Sequence, residues 1–254
     1  MKLDGKVVLI TGASEGIGAA CAGAFRDRGA KLALVARSRE KLERVAGGNA
    51  LVIAGDLLER ATRRVAVEQT IAAYGRIDVL VNNAGTGIYQ PSHTTPMAQA
   101  RTLWELNFFA PLELTQLAAA DMKRRRAGAI VNVSSIAGKI TLPWFTLYSA
   151  SKYALNSFTD GLRIELKPWN IAAISVCPGY VRTRFQEHVL AGTPPPMQGL
   201  RDRWAVTAEQ VAAAIAGAVE RGVRTVLIPR SGWLMVGATR LFPGLTERVL
   251  SRGS

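Results

Sequence analysis

The segment YSASK sets a phenol, Tyr148, four residues before an ammonium, Lys152, among small residues. On a helix, positions i and i+4 share a face, so both groups point into whatever that face meets. The pair is either surface decoration or an acid tuned by its cationic neighbour. A second segment with chemical content, TGASEGIG from Thr11 to Gly18, joins an apolar β-branched run to a helical pattern. Glycines permit a tight turn and a close backbone approach, and the helix behind them offers free N–H groups and the positive end of its dipole to an anion. Gly12, Ser14, Gly16, Ile17 and Gly18 are placed to cradle a pyrophosphate. A glycine turn alone says little, but between a strand and a helix at the head of an alternating chain it favours a dinucleotide.

The second apolar run ends in LVARSREKL. An acid at this strand end usually takes the ribose hydroxyls, whereas a base accommodates a 2′-phosphate. Arg37 and Ser38 stand there with no carboxylate at the tip, so NADP(H) is preferred and NAD(H) stays open. Glu15 opposes the phosphates unless it turns outward. Asp56, closing the third run, either accepts from an adenine amino group or N-caps the next helix.

The elements that must position these groups are legible as a pattern. KVVLI, KLALVA, ALVIAG, IDVLVN, AIVNVS, IAAISVC and RTVLIP are near-continuous apolar runs, as expected of strands buried on both faces. Longer helical patterns separate them, including MAQARTLWELNFFAPLELTQLAAADMKRRR, read as one helix, and YSASKYALNSFTDGLRIELKPW. The alternation predicts right-handed crossovers and an α/β fold, a single-domain Rossmann-type doubly wound sheet of about seven parallel strands with helices on both faces. Residues 1–254 then form one dinucleotide-binding and catalytic domain. The longest irregular stretch, about 183–204, carries three consecutive prolines and has the length of a substrate lid. A C-terminal tail runs over 231–254.

With 48% apolar and 20% charged residues the composition is that of a globular protein rather than a disordered chain. Two cysteines and two histidines are too few for a disulfide framework or a metal site. The amino terminus lacks secretory features and no apolar run reaches the roughly 20 residues of a membrane span, so a cytoplasmic location is expected. The net charge of +13 invites nucleic acid, yet the arginines are scattered and the dense run KRRR ends an apolar helix, where cations complement carbonyls. No nucleic-acid partner is expected. The tail, with Trp233, Leu234, Met235, Leu241 and Phe242 among arginines, either makes peripheral membrane contact, covers the pocket, or packs on a second subunit. Its glycines and Pro243 favour packing.

TGASEGIG, NNAG at Asn82–Gly85, Asn107 in ELNFFAP, VNVSSIAG around Ser135, YSASK and CPGYVRT from Cys177 are similar, in order and spacing over roughly 4–230, to the signatures of the short-chain dehydrogenase/reductase family. The resemblance implies an NADP-dependent oxidoreductase that moves hydride between a nicotinamide and a medium-sized hydrophobic carbonyl or alcohol. It makes Tyr148 the general acid or base. Lys152 and an oxidised nicotinamide would lower a phenol pKa that is ordinarily about 10. Ser135, rather than Ser134, would bond the substrate oxygen, and Asn107 would hold a water against Lys152. Asn83, Ala84 and Gly85 fall beside the adenosine ribose. Pro178, Gly179, Val181 and Thr183 fall at the nicotinamide and pyrophosphate. The pocket wall is expected from Ile88, Tyr89, Pro143, Trp144, Phe145, Phe185, Met197 and Trp204, with His93 and His188 at the surface. A homodimer or homotetramer through the two long helices is also implied. The alternative, a catalytically silent cofactor sensor or a membrane- or nucleic-acid-binding protein on the same fold, is opposed by the intact set Asn107, Ser135, Tyr148 and Lys152.

Overall fold

The computed structural model describes residues 1–193 and 205–251. Seven parallel strands form the central sheet in the order β3-β2-β1-β4-β5-β6-β9. They are β1 (Val7–Thr11), β2 (Lys31–Ala36), β3 (Ala50–Ala54), β4 (Val79–Asn82), β5 (Gly128–Val133), β6 (Ile171–Pro178) and β9 (Thr225–Ile228). Every residue of β1, β4 and β5 is buried, so these strands need cover on both faces.

The period of two decides which cover each side chain meets. Val8, Ile10, Val131 and Val176 pack with Cys21, Ala22 and Phe25 of α1 (Gly16–Arg26) and with Val211, Ile215 and Val219 of α7 (Ala208–Arg221). Leu9, Leu80, Ile130 and Ala173 face the other way, onto α3 (Arg60–Tyr74), α5 (Ala110–Arg125) and α6 (Thr146–Glu165). Each fully buried Leu, Ile or Val contributes roughly 1.5–3 kcal/mol, which makes these two layers the main stabilising mass. Helix α2 (Arg39–Ala46) starts at Ser38, whose hydroxyl accepts from Lys41 N at 3.3 Å.

The strand order reverses between β1 and β4, which opens a crevice at their carboxyl ends. Thr11 ties the two ends together. Its hydroxyl donates to Val81 O at 3.3 Å and accepts from Asn83 N at 3.0 Å and Ala84 N at 3.1 Å. The Asn83 amide donates to Thr11 O at 2.9 Å and Gly12 O at 3.2 Å, which locks the glycine turn to the end of β4.

Three features depart from the sequence reading. The long helix over 97–126 is α4 (Met97–Trp104), a π-helical turn (Glu105–Phe109) and α5, because Asn107 is pulled into side-chain bonds and Pro111 lacks the N–H that would continue the α-helical ladder. Two two-residue strands, β7 (Val181–Arg182) and β8 (Val206–Thr207), pair in parallel, too short for any periodic signal. The tail forms α8 (Gly232–Leu241) and α9 (Pro243–Ser251), divided at Phe242. Of the expected lid, Met197 and Trp204 lie outside the described residues. Among the described residues, no helix is long and apolar enough to cross a membrane.

Candidate active site

Tyr148 and Lys152 both face inward from α6, 7% and 4% exposed. The ammonium donates to Val133 O at 3.0 Å and stands 5.6 Å from the centre of the Tyr148 ring. Ser135, just past β5, takes extended backbone and accepts from Ala137 N at 3.1 Å; its hydroxyl is near enough to the phenol to favour the ionised form. Ser134 is turned into the fold, where it donates to Lys152 O at 3.1 Å.

Asn107 lies wholly buried in the π turn. Its carboxamide accepts from Thr86 N at 2.9 Å and donates to Thr86 O at 2.9 Å and Ser151 Oγ at 3.1 Å. A side-chain carbon on Gly85 would lie 3.1 Å from Asn107 Oδ1 and 3.5 Å from Lys152 Nζ, so all three converge there. Because the carboxamide is occupied, any water held against Lys152 would rest on the main-chain carbonyl of Asn107. Pro111 deprives that carbonyl of its α-helical donor.

Aromatic rings wall the phenol. Phe145 stacks on Tyr148 with centroids 4.0 Å apart, Tyr89 stacks on Phe145 at 4.2 Å, and Phe185 meets Tyr148 edge-on at 5.9 Å. Ile88, Leu103 and Leu142 fill in around them. Pro143 and Trp144 stand apart from this stack and rim an open depression with Pro91, Ser92, His93 and Thr146.

The glycine turn is built for close approach. Gly12 has φ +63°, and a side-chain carbon there would come within 2.9 Å of Ala84 Cα. At Gly18 the same carbon would strike Gly12 O at 2.1 Å, so neither position admits another residue. Glu15, at the N-cap of α1, makes no side-chain cap bond, which leaves the first-turn amides open to an anion. Thr183 reaches over the turn, with its methyl 3.3 Å from where a side chain on Gly16 would begin, while its hydroxyl accepts from Phe185 N at 3.3 Å. Gly179 N donates to Ile228 O at 2.7 Å, holding Pro178 and Gly179 at the sheet edge, and Val181 pairs with Val206.

Comparison with known proteins assigns this architecture. Residues 6–193 match the family model described as short chain dehydrogenase. Dehydrogenase/reductase SDR family member 7B of Mus musculus is 33% identical, over 98% of this chain and 81% of its own. This chain is a short-chain dehydrogenase/reductase. A short-chain dehydrogenase from Streptomyces avermitilis superimposes with TM-score 0.84 at 30% identity, covering 99% of this chain and 98% of its own. The 3-ketoacyl-(acyl-carrier-protein) reductase from Brucella melitensis, solved with NADH, does so with TM-score 0.82 at 28% identity, over 89% and 97%.

In this dehydrogenase the protein's own groups leave the phenol protonated. Burial raises the Tyr148 pKa, against the weaker opposing pull of Ser135. Burial lowers the Lys152 pKa as well, to about 8. Near neutrality the pair is therefore a protonated phenol beside an ammonium easily deprotonated.

Arg37 is exposed at the tip of β2 and has no ion pair among the described residues. Asp56 is not the N-cap of α3. Its carboxylate accepts from Leu58 N at 2.9 Å and closes a turn, and Glu59 takes the cap position. Glu15 does turn outward, to Lys41 at 3.0 Å and to His188. Burial works to raise the Glu15 carboxyl, but the hydrogen bonds and charges of Lys41 and His188 outweigh it and hold the carboxyl below its ordinary range. Sequence reasoning left His188 as a plain surface residue and passed over Thr11, Thr86 and Ser151. Only the position of Ser151 on the Tyr148 helix, three residues on, could have flagged it.

Proposed function

We propose that this enzyme transfers hydride between NADP(H) and a medium-sized hydrophobic carbonyl or alcohol, with Tyr148 as acid in reduction and base in oxidation. A single observation carries the proposal: a buried phenol, with a serine hydroxyl beside it and an ammonium behind it, faces an aromatic-walled site at the carboxyl ends of the strands. A bound nicotinamide supplies or accepts the hydride at the carbonyl carbon. Tyr148 gives its proton to the oxygen on which charge develops, and Ser135 donates a hydrogen bond to that same oxygen. Lys152 stabilises the phenolate left behind, and a water on the Asn107 carbonyl returns the proton from solvent.

The glycine turn, which contains Ser14, and the uncapped α1 terminus, with Ile17 in its first turn, suit the pyrophosphate. Arg37, free of acids and followed by Ser38, supports a 2′-phosphate and hence NADP(H), although the Brucella relative was solved with NADH. That protein is a 3-ketoacyl-(acyl-carrier-protein) reductase, so a 3-ketoacyl compound is a sensible first substrate beside aromatic and aliphatic ketones. We further infer a cytoplasmic homodimer or homotetramer that pairs through α5 and α6, where Tyr153 and Ile164 on α6, Phe109 just before α5 and Trp169 just after α6 are exposed.

NADPH consumption over such a carbonyl panel tests the proposal. Tyr148→Phe is expected to lose about 10³-fold or more in turnover with NADPH affinity kept, and Arg37→Asp to move the NADPH:NADH ratio about tenfold or more toward NADH. Full turnover in the Tyr148 variant would remove the phenol from the mechanism, and an unmoved ratio would remove Arg37 from the phosphate site.

A further inference from the structure

The last two helices carry an apolar face that nothing in the described chain covers. Helix α8 is fastened by two buried residues, Gly232 and Val236. A side-chain carbon at Gly232 would lie 2.3 Å from Leu227 Cδ2 and 3.0 Å from Ile136 Cδ1, and Val236 packs with Ile140, Cys177 and Leu227. The helix is thus moored on the turn that follows Ser135. Beyond it, α9 buries no residue. Leu234, Leu241, Phe242, Leu245 and Val249 are 76%, 74%, 60%, 61% and 62% exposed. Leu234 and Leu241, seven residues apart, share one face of α8, and Leu245 and Val249, four apart, share one face of α9, with the exposed Phe242 between the two helices.

Helices of ten and nine residues are marginal in water without a packed face, so this one calls for an occupant. Charge identifies it. Arg230 just before α8, Arg240 at its end and Arg248 in α9 stand against Glu247, the sole acid over residues 230–251, on a chain of net charge +13. A second copy docked here would set one basic tail against another, and the exposed Tyr153 and Ile164 of α6, with Phe109 just before α5, offer a separate face for self-association. An acyl layer beneath anionic headgroups satisfies both the leucines and the arginines.

We propose that α8 and α9 seat the enzyme on an anionic lipid surface. Leu241, Phe242, Leu245 and Val249 enter the headgroup–acyl boundary, and Arg240 and Arg248 lie against phosphates. The buried side of α8, at Gly232 and Val236, meanwhile rests on Leu227 and on Ile136 after Ser135.

Flotation of the full chain tests this without reference to turnover, and so independently of the role given to Tyr148. The wild type should float with vesicles of mixed phosphatidylcholine and phosphatidylglycerol, and at least about tenfold less with phosphatidylcholine alone. Leu241→Glu with Leu245→Glu should abolish flotation, and Arg240→Glu with Arg248→Glu should weaken it about tenfold or more, with thermal midpoint and NADPH binding kept in both. A wild type that stays with the soluble fraction overturns the proposal. So does undiminished flotation of the leucine variant, or a halving of its molar mass by light scattering, which would give the face to a second copy.

Discussion

Lys152 shows how burial and charge compete at a single residue. Its ammonium, 4% exposed with one carbonyl partner at 3.0 Å, has lost most of its water, and burial draws its pKa from 10.5 to about 8. The folded state therefore holds this proton less tightly than the unfolded chain. Below pH 8 the buried charge destabilises the fold in full, and the penalty shrinks as pH rises from 8 toward 10.5, because the unfolded chain stays protonated while the folded one does not. At 1.36 kcal/mol per unit the penalty is at most about 3 kcal/mol at neutral pH. Lys152→Met should accordingly raise the urea midpoint at pH 7 relative to the wild type, with the advantage fading by pH 10, while turnover falls. A variant less stable at both pH values would mean that the bond to Val133 O outweighs desolvation. Asn107 is the opposite case, since its buried carboxamide is satisfied by Thr86 and Ser151 and stabilises the fold.

At the scale of elements, the strands and most helices were legible because parallel strands buried on both faces must be apolar runs and the helices between them must be amphipathic. What escaped was whatever depends on a partner distant in sequence. Nothing in RATRRV marks Arg63 as the buried arginine of the three, yet it is 1% exposed, donates to Leu57 O at 2.7 Å and Leu58 O at 3.0 Å, and pairs with Glu105 and Glu113 at 2.6 and 2.9 Å. The π turn shares that cause, since it is Thr86 that holds Asn107. The catalytic candidates were readable because their spacing lies within one helix or at strand ends, whereas the Glu15–His188 pair joins residues 173 positions apart. That pair ties the glycine turn to the segment after β7, which is also held by Thr86 Oγ1 donating to His188 O at 2.9 Å and Tyr89 N donating to Ala191 O at 2.9 Å. Cutting the side-chain tie should free the segment to open without unfolding it. His188→Ala is expected to speed NADPH release about threefold to fivefold, the worth of one half-exposed ion pair of about 1 kcal/mol, with the thermal midpoint nearly unchanged. An unaltered release rate in stopped-flow fluorescence would show that the two segments move independently.

For the molecule as a whole, the charge of +13 is distributed unevenly in its consequences. The densest basic run is consumed internally: Arg125 meets Asp121 at 2.8 Å and Asp78 at 3.1 Å, Arg124 meets Asp121 at 3.2 Å, and Arg126 donates to Pro168 O at 2.7 Å. Lys123 and Arg126 both lie over the Trp169 ring, at 5.7 and 5.6 Å. The end of α5 is therefore knitted to the turn that follows α6. Ile164 near the end of α6 is 75% exposed and Phe109 just before α5 is 47% exposed, an expense in water that association would recover at about 25 cal/mol per Å². A dimer built there buries Ile164 and Phe109 symmetrically, so placing a carboxylate at each puts like charges in a desolvated interface from both sides. Phe109→Glu with Ile164→Glu should halve the molar mass measured by light scattering, and it should leave vesicle flotation intact because α8 and α9 lie elsewhere. An unchanged mass would move the self-association surface off these helices. A loss of flotation together with mass would mean that lipid seating needs two tails acting as one, a bivalent attachment whose strength follows the effective concentration of the second tail.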